Sequence, residues 1–144
     1  MSVKRGETKY DTLYIGLQKR IEPLPGQQEA QGMVYAITKD HKEVYGRPFV
    51  TLNVGTTYRF VIETPGHPFY ITTDELGGGA IREPALSYVG SIEIVPENTD
   101  EKGNVGITKG ILTWSPSAEH TQMKLFYQSN FHQGCGNQII VKFP

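Results

Sequence analysis

The sequence is poor in several things at once. It has one cysteine, Cys135, in 144 residues, which excludes an internal disulfide framework. It has no apolar run of the length that crosses a bilayer, so a helical membrane anchor is not expected. Charge of either sign is not in excess: 14 Lys and Arg against 15 Asp and Glu leave a formal net of −1, without the basic surplus of a nucleic-acid footprint. Alanine runs and heptads are missing too, so no helix longer than a turn or two is required. The first residues, MSVKRGETKYDTLYIG, carry early positive charge but no apolar segment and no small-residue cleavage site. With the single cysteine, this gives the expectation of a reducing, intracellular and cytoplasmic setting.

What is present points to β-structure. Glycine reaches 16 residues, Tyr and Phe together 14, and Val, Ile and Thr are spread throughout. Period-two alternation is clearest in FVTLNVGTTYRFVIET, where Val50, Leu52 and Val54 share a face and Tyr58, Phe60 and Ile62 share the next. Residues 10–17, 33–40, 91–95, 110–115, 123–128 and 138–143 read as further strands. HPFYITT reads as another, with His67 just inside it and Phe69 and Ile71 alternating against Tyr70. Ile139, Val141 and Phe143 are expected on one side of the last strand. Short strands separated by Pro- and Gly-rich turns predict an all-β Greek-key sandwich of about eight strands. The chain length suits one domain over 1–144, with residues 1–9 as a polar, flexible tail.

The candidate chemistry lies in His67, after Pro65-Gly66, and in LFYQSNFHQGCGN near the chain end, which holds Ser129, His132 and Cys135. His and Cys are ligands for copper or zinc, and a sandwich can bring loops 65 positions apart to one end. On spacing alone the same residues also read as a hydrogen-bonded histidine and a small buried thiol. His41 and His120 lie in polar turn segments and are expected to be solvated. A hydrolase built on Ser129, His132 and Glu119 lacks a Gly-x-Ser-x-Gly elbow, and Cys135 with His132 lacks an orienting acid. The glycines at 77–79 are not followed by Lys-Ser/Thr, so they do not form a phosphate loop.

YGRPFVTLNVGTTYRFVIETPGHPFYITT and GILTWSPSAEHTQMKLFYQSNFHQGCGNQIIV, in that order, resemble the cupredoxin-like domain. The two blocks cover about half of the chain. The resemblance implies a sandwich with a mononuclear copper site at one end, made of two imidazoles, a thiolate and a weak axial thioether. It puts His67 and His132 at the histidine positions, Ser129 at the thiolate position and Cys135 at the axial position. A serine hydroxyl does not replace a thiolate, so a blue-copper centre is not expected. Two readings follow. One is a non-enzymatic, metal-free structural or interaction module, with loops 80–88 and 97–104 as contact surfaces. The other is a non-blue protein holding copper or zinc through His67, His132 and Cys135, with Ser129 or water as fourth partner. The expected partner is an unidentified protein, with no nucleic acid and no membrane, and the chain is expected to be a monomer or weak oligomer.

Overall fold

In the computed structural model, residues 10–23, 26, 28, 32–39, 42–44, 46–78 and 92–144 are described. They form ten strands: β1 (Tyr10–Lys19), β2 (Met33–Lys39), β3 (Lys42–Val44), β4 (Val50–Asn53), β5 (Thr57–Glu63), β6 (Phe69–Thr72), β7 (Ile92–Pro96), β8 (Lys109–Trp114), β9 (Leu125–Ser129) and β10 (Gln138–Lys142). One sheet runs β3-β2-β1-β5-β8-β7 and the other β4-β10-β9-β6. The chain crosses between sheets at each step from β3 to β7 and again from β8 to β9. The pairs β1–β5 and β4–β10 are parallel and the other pairs antiparallel. The all-β sandwich expected from the alternation is therefore the fold observed. The strand not read from the sequence is β3, a three-residue edge paired with β2.

The core lies between the sheets. Leu13, Ile15, Tyr35, Tyr58, Phe60, Ile62, Leu112 and Trp114 come from one sheet. Leu52, Phe69, Ile71, Leu125, Tyr127 and Ile139 come from the other. This is the inward half of each period-two pattern. β6 and β9 depart from it, because every residue in both is buried. Tyr70 therefore does not alternate against Phe69 and Ile71 by exposure. Phe143, expected on one side of the strand with Ile139 and Val141, lies beyond β10 and is exposed while those two are buried.

Two short 3-10 turns, Thr99–Glu101 and Ala118–Gln122, are the helical elements among the described residues. None is long and apolar enough to cross a membrane. The second corrects the expectation for His120. It is buried, stacks edge-on against Trp114 with ring centroids 5.1 Å apart, and its Nδ1 accepts the Ser117 N–H at 2.9 Å. A histidine that closes a one-turn helix against the core does not need solvent. Of the two loops expected as contact surfaces, 80–88 lies outside the described residues. Loop 97–104 is exposed over most of its length and pinned by Glu101, whose carboxylate accepts the Thr108 N–H and hydroxyl at 2.9 Å.

Candidate functional site

The site forms where the turn before β6 meets the loop between β9 and β10. Antiparallel pairing of β6 with β9 places Phe69 opposite Ser129, so the segments carrying His67 and His132 leave the sheet side by side. The Asn130 N–H donates to the Pro68 carbonyl at 2.9 Å and ties them together. Strand β6 begins at Phe69, so His67 lies in the turn rather than inside the strand. Gly66, at φ +77°, makes that turn possible.

The two imidazoles meet. The His67 and His132 rings stack with centroids 4.3 Å apart and planes inclined by 29°. His67 is half-buried and His132 exposed. His67 Nδ1 lies 3.1 Å from the Pro65 carbonyl, an acceptor only, so Nδ1 is the donor in that contact. The backbone beneath is rigid. The His67 carbonyl accepts both the fully buried Tyr35 phenol at 2.9 Å and the Thr64 hydroxyl at 2.8 Å. Burial pushes the Tyr35 phenol well above its ordinary range, so it remains a donor.

Ser129 and Cys135 are placed differently. Ser129 is fully buried, and its Oγ accepts the N–H groups of Phe131 and His132, each at 3.2 Å. It acts as a local cap that folds the loop back on the end of β9. Cys135 is also buried, and its thiol is directed to the Met33 carbonyl on β2 at 3.4 Å. Burial pushes that thiol up to about 11, despite the opposing pull of Arg20 and Arg47. It is therefore a neutral donor near pH 7. Among the described residues, no group of three His, Cys, Asp or Glu is placed to hold a metal ion. Two of the expected ligands come together, and Cys135 does not join them.

The rest of the loop is held by protein groups at nearly every residue. Arg20 donates to the Gly134 carbonyl at 2.7 Å and Arg47 to the Gly136 carbonyl at 3.3 Å. The Gly134 N–H reaches Leu76, and the Tyr35 N–H donates to the Cys135 carbonyl. Gln128, buried on β9, uses both ends of its amide. Its Oε1 accepts the Gly136 N–H at 3.0 Å, and its Nε2 donates to Glu75 at 2.8 Å. Gly136 packs so closely on the Tyr127 carbonyl that no side chain fits there. Arg20, Arg47 and Gln128 are site residues that motif reading missed. The one sequence signal was Gly46-Arg47-Pro48, a turn tripeptide ahead of a strand.

A copper centre of the blue type does not fit this donor set. The thiolate position offers a hydroxyl already engaged by two amides, and the available thiol is protonated and directed away. The stacked rings also present faces to each other. Their in-plane lone pairs do not converge at the 2.0–2.1 Å that a metal–imidazole bond requires unless a ring turns.

No protein-family model matches the chain, and no curated protein matches it. It is similar to solved structures of rusticyanin. With the 1.27 Å structure from Thiobacillus ferrooxidans it shares 19% identity at a TM-score of 0.45, covering 94% of this chain and 79% of that one. With a 2.1 Å structure of rusticyanin, described as a copper protein, it shares 17% identity at 0.44, covering 94% and 80%. With a structure of rusticyanin variants it shares 17% at 0.46, covering 98% and 85%.

Proposed function

We propose that this chain is a non-enzymatic, cupredoxin-like module whose terminal loop is organised by hydrogen bonds instead of a metal, and that it serves a structural or interaction role. The observation that carries this reading is the engagement of Ser129. The residue at the thiolate position is buried and caps two loop amides, so it stabilises the loop on its own. The hydrogen bonds that Arg20, Arg47 and Tyr35 donate to the loop, and the one that Gln128 accepts from it, support the same reading, because they hold the loop without an ion.

A second reading has one observation in its favour, the pairing of His67 with His132. A half-buried and an exposed imidazole at one edge of the molecule could hold copper or zinc if a ring turned, with water or a displaced Cys135 completing the set.

Metal titration separates the two. Purified protein is mixed with Cu(I), Cu(II) and Zn(II) and followed by calorimetry and elemental analysis. The first reading expects no stoichiometric uptake at micromolar metal. Uptake of one equivalent, abolished by His67→Ala, would replace it with the second. Ser129→Cys adds a colour test. Cu(II) is expected to leave that variant without an intense visible thiolate band, since the His67 and His132 rings stack on each other and do not converge on an ion beside the new sulfur. An intense band would show that the loop yields to an ion.

A further inference from the structure

The outward face of the larger sheet carries an apolar row. Strand register places Tyr14 of β1 beside Val61 of β5, Val61 beside Ile111 of β8, and Ile111 beside Val95 of β7. Side chains directly opposite each other across a ladder share a face. Their chain neighbours Leu13, Ile15, Phe60, Ile62 and Leu112 are in the core, so this row points away from the sandwich. Tyr14 and Val95 are each 55% exposed, and Val61 and Ile111 are partly exposed between them. The row crosses four strands, about 14 Å at the usual inter-strand spacing. Two residues away along the strands, the same face turns polar. Thr12, Arg59, Thr113 and Glu93 border the row on one side. Glu63, Lys109 and Glu97 border it on the other, with Lys109 and Glu97 paired at 3.7 Å. An exposed apolar centre with a charged rim is the pattern of a contact surface.

We propose that this face packs on the same face of a second copy, row on row, as a weak sheet-on-sheet dimer. The rim charges select this occupant and its orientation. A two-fold axis parallel to the strands, between β5 and β8, sets Val61 over Ile111 of the second copy and Tyr14 over its Val95. It also sets Glu63 over the second copy's Lys109, twice by symmetry. Arg59 then meets Thr113, and Glu93 meets Thr12, so no like charges face each other in these three rows. An axis along the row instead sets Glu93 over Glu97 twice, which opposes that arrangement. The row is short for a permanent interface, so the dimer is expected to have a Kd of about 0.1 mM. This inference does not rest on how the terminal loop is held, because that loop joins two strands of the smaller sheet.

The test is sedimentation equilibrium with amide NMR, from about 10 µM to about 1 mM protein. A monomer–dimer equilibrium is expected, with concentration-dependent shifts centred on Tyr14, Val61, Ile111 and Val95. Val95→Lys places a charge against Tyr14 of the second copy and should weaken the dimer about tenfold or more. Tyr14→Lys should do the same, so the result does not hang on one variant. Glu63→Lys and Lys109→Glu each set like charges face to face and should weaken the dimer several-fold. The double exchange should restore it, because opposite charges face each other again. A chain that stays monomeric to the highest concentration overturns the proposal, as does a dimer that both Val95→Lys and Tyr14→Lys leave intact. A dimer that the double exchange fails to restore overturns it too. The same shifts in a monomer, raised only by an amphipathic Leu/Lys peptide, would give the face to a foreign helix and overturn the second copy.

Discussion

The four positions that the copper-loop pattern groups together divide into two pairs with opposite surroundings. His67 and His132 sit at the molecular edge, stacked on each other, with one side-chain hydrogen bond between them, from His67 to Pro65. Ser129 and Cys135 lie inside the sandwich, where the Ser129 oxygen accepts two backbone amides and also meets the Tyr35 phenol, and the Cys135 thiol is directed at a backbone carbonyl. In a metal site all four would answer to one ion. Here the inner pair answers to folding and the outer pair to little besides itself. Replacing a buried ligand therefore has different consequences from keeping an exposed one. The buried position must find new hydrogen-bond partners within the fold, while the exposed position can persist without any.

The largest contrast between the halves is expected at two glycines. A Cβ on Gly136 would overlap the Tyr127 carbonyl oxygen, and the strands around it cannot separate without breaking the sheet. Gly136→Ala should cost more than about 4 kcal/mol or prevent folding. Gly66, beside the histidine pair, has open space around it and only its φ of +77° to satisfy, so Gly66→Ala should cost about 1 kcal/mol. Urea midpoints of the two variants measure the difference, and equal losses would erase the division between the halves.

Alkaline pH should act on the inner half alone. The Cys135 thiol, ordinarily near 9.0, is pushed up to about 11 by burial, so the folded state holds a proton that the unfolded chain has released. Its contribution is complete below pH 9 and is lost as pH rises through 11, a fall on the order of 2 kcal/mol. Tyr35 and Tyr127, also raised by burial, extend the loss to higher pH. Urea unfolding at pH 8, 9 and 10 should show the decline, and Cys135→Ala should flatten its first part. An undiminished slope in that variant would mean that the thiol is not the group responsible.

Most of the fold was legible because one face of nearly every strand follows period two, as at Val50 and Leu52 or Tyr58, Phe60 and Ile62. The pattern gave no warning for β6 and β9, which are buried on both faces, because a doubly covered strand has no polar face to read. His120 was misread since its partner, Trp114, is distant in the pattern though near in sequence. In the site, ordered motifs sufficed to bring His67 beside His132. They did not show that the Cys135 thiol is directed to Met33, nor that Arg20 and Arg47 grip the loop. Those contacts span 102, 114 and 89 positions and depend on how the sheets meet.

Ser129→Ala should give an intermediate effect. Removing the hydroxyl leaves the Phe131 and His132 amides without their acceptor, at a cost of about 1–2 kcal/mol. The loss should appear as faster hydrogen exchange at those two amides, with Gly136, held by Gln128, unaffected. Uniform acceleration along 130–137 would mean that the loop opens as one unit and that the cap is not local.

The smallest effect is expected at the histidines themselves. His67→Ala removes a half-buried ring whose side-chain partners among the described residues are one carbonyl and one exposed imidazole. The backbone features that fix this turn, the Tyr35 and Thr64 bonds to the His67 carbonyl, survive the substitution. Stability should therefore change by about 0.5 kcal/mol or less, and His132→Ala should match it. The double variant should be additive to within a few tenths of a kcal/mol, apart from the weak coupling of stacked rings. A loss of 2 kcal/mol or more from either single variant would show that the outer pair is part of the folding framework, and the persistence of two histidines would then need no explanation beyond packing.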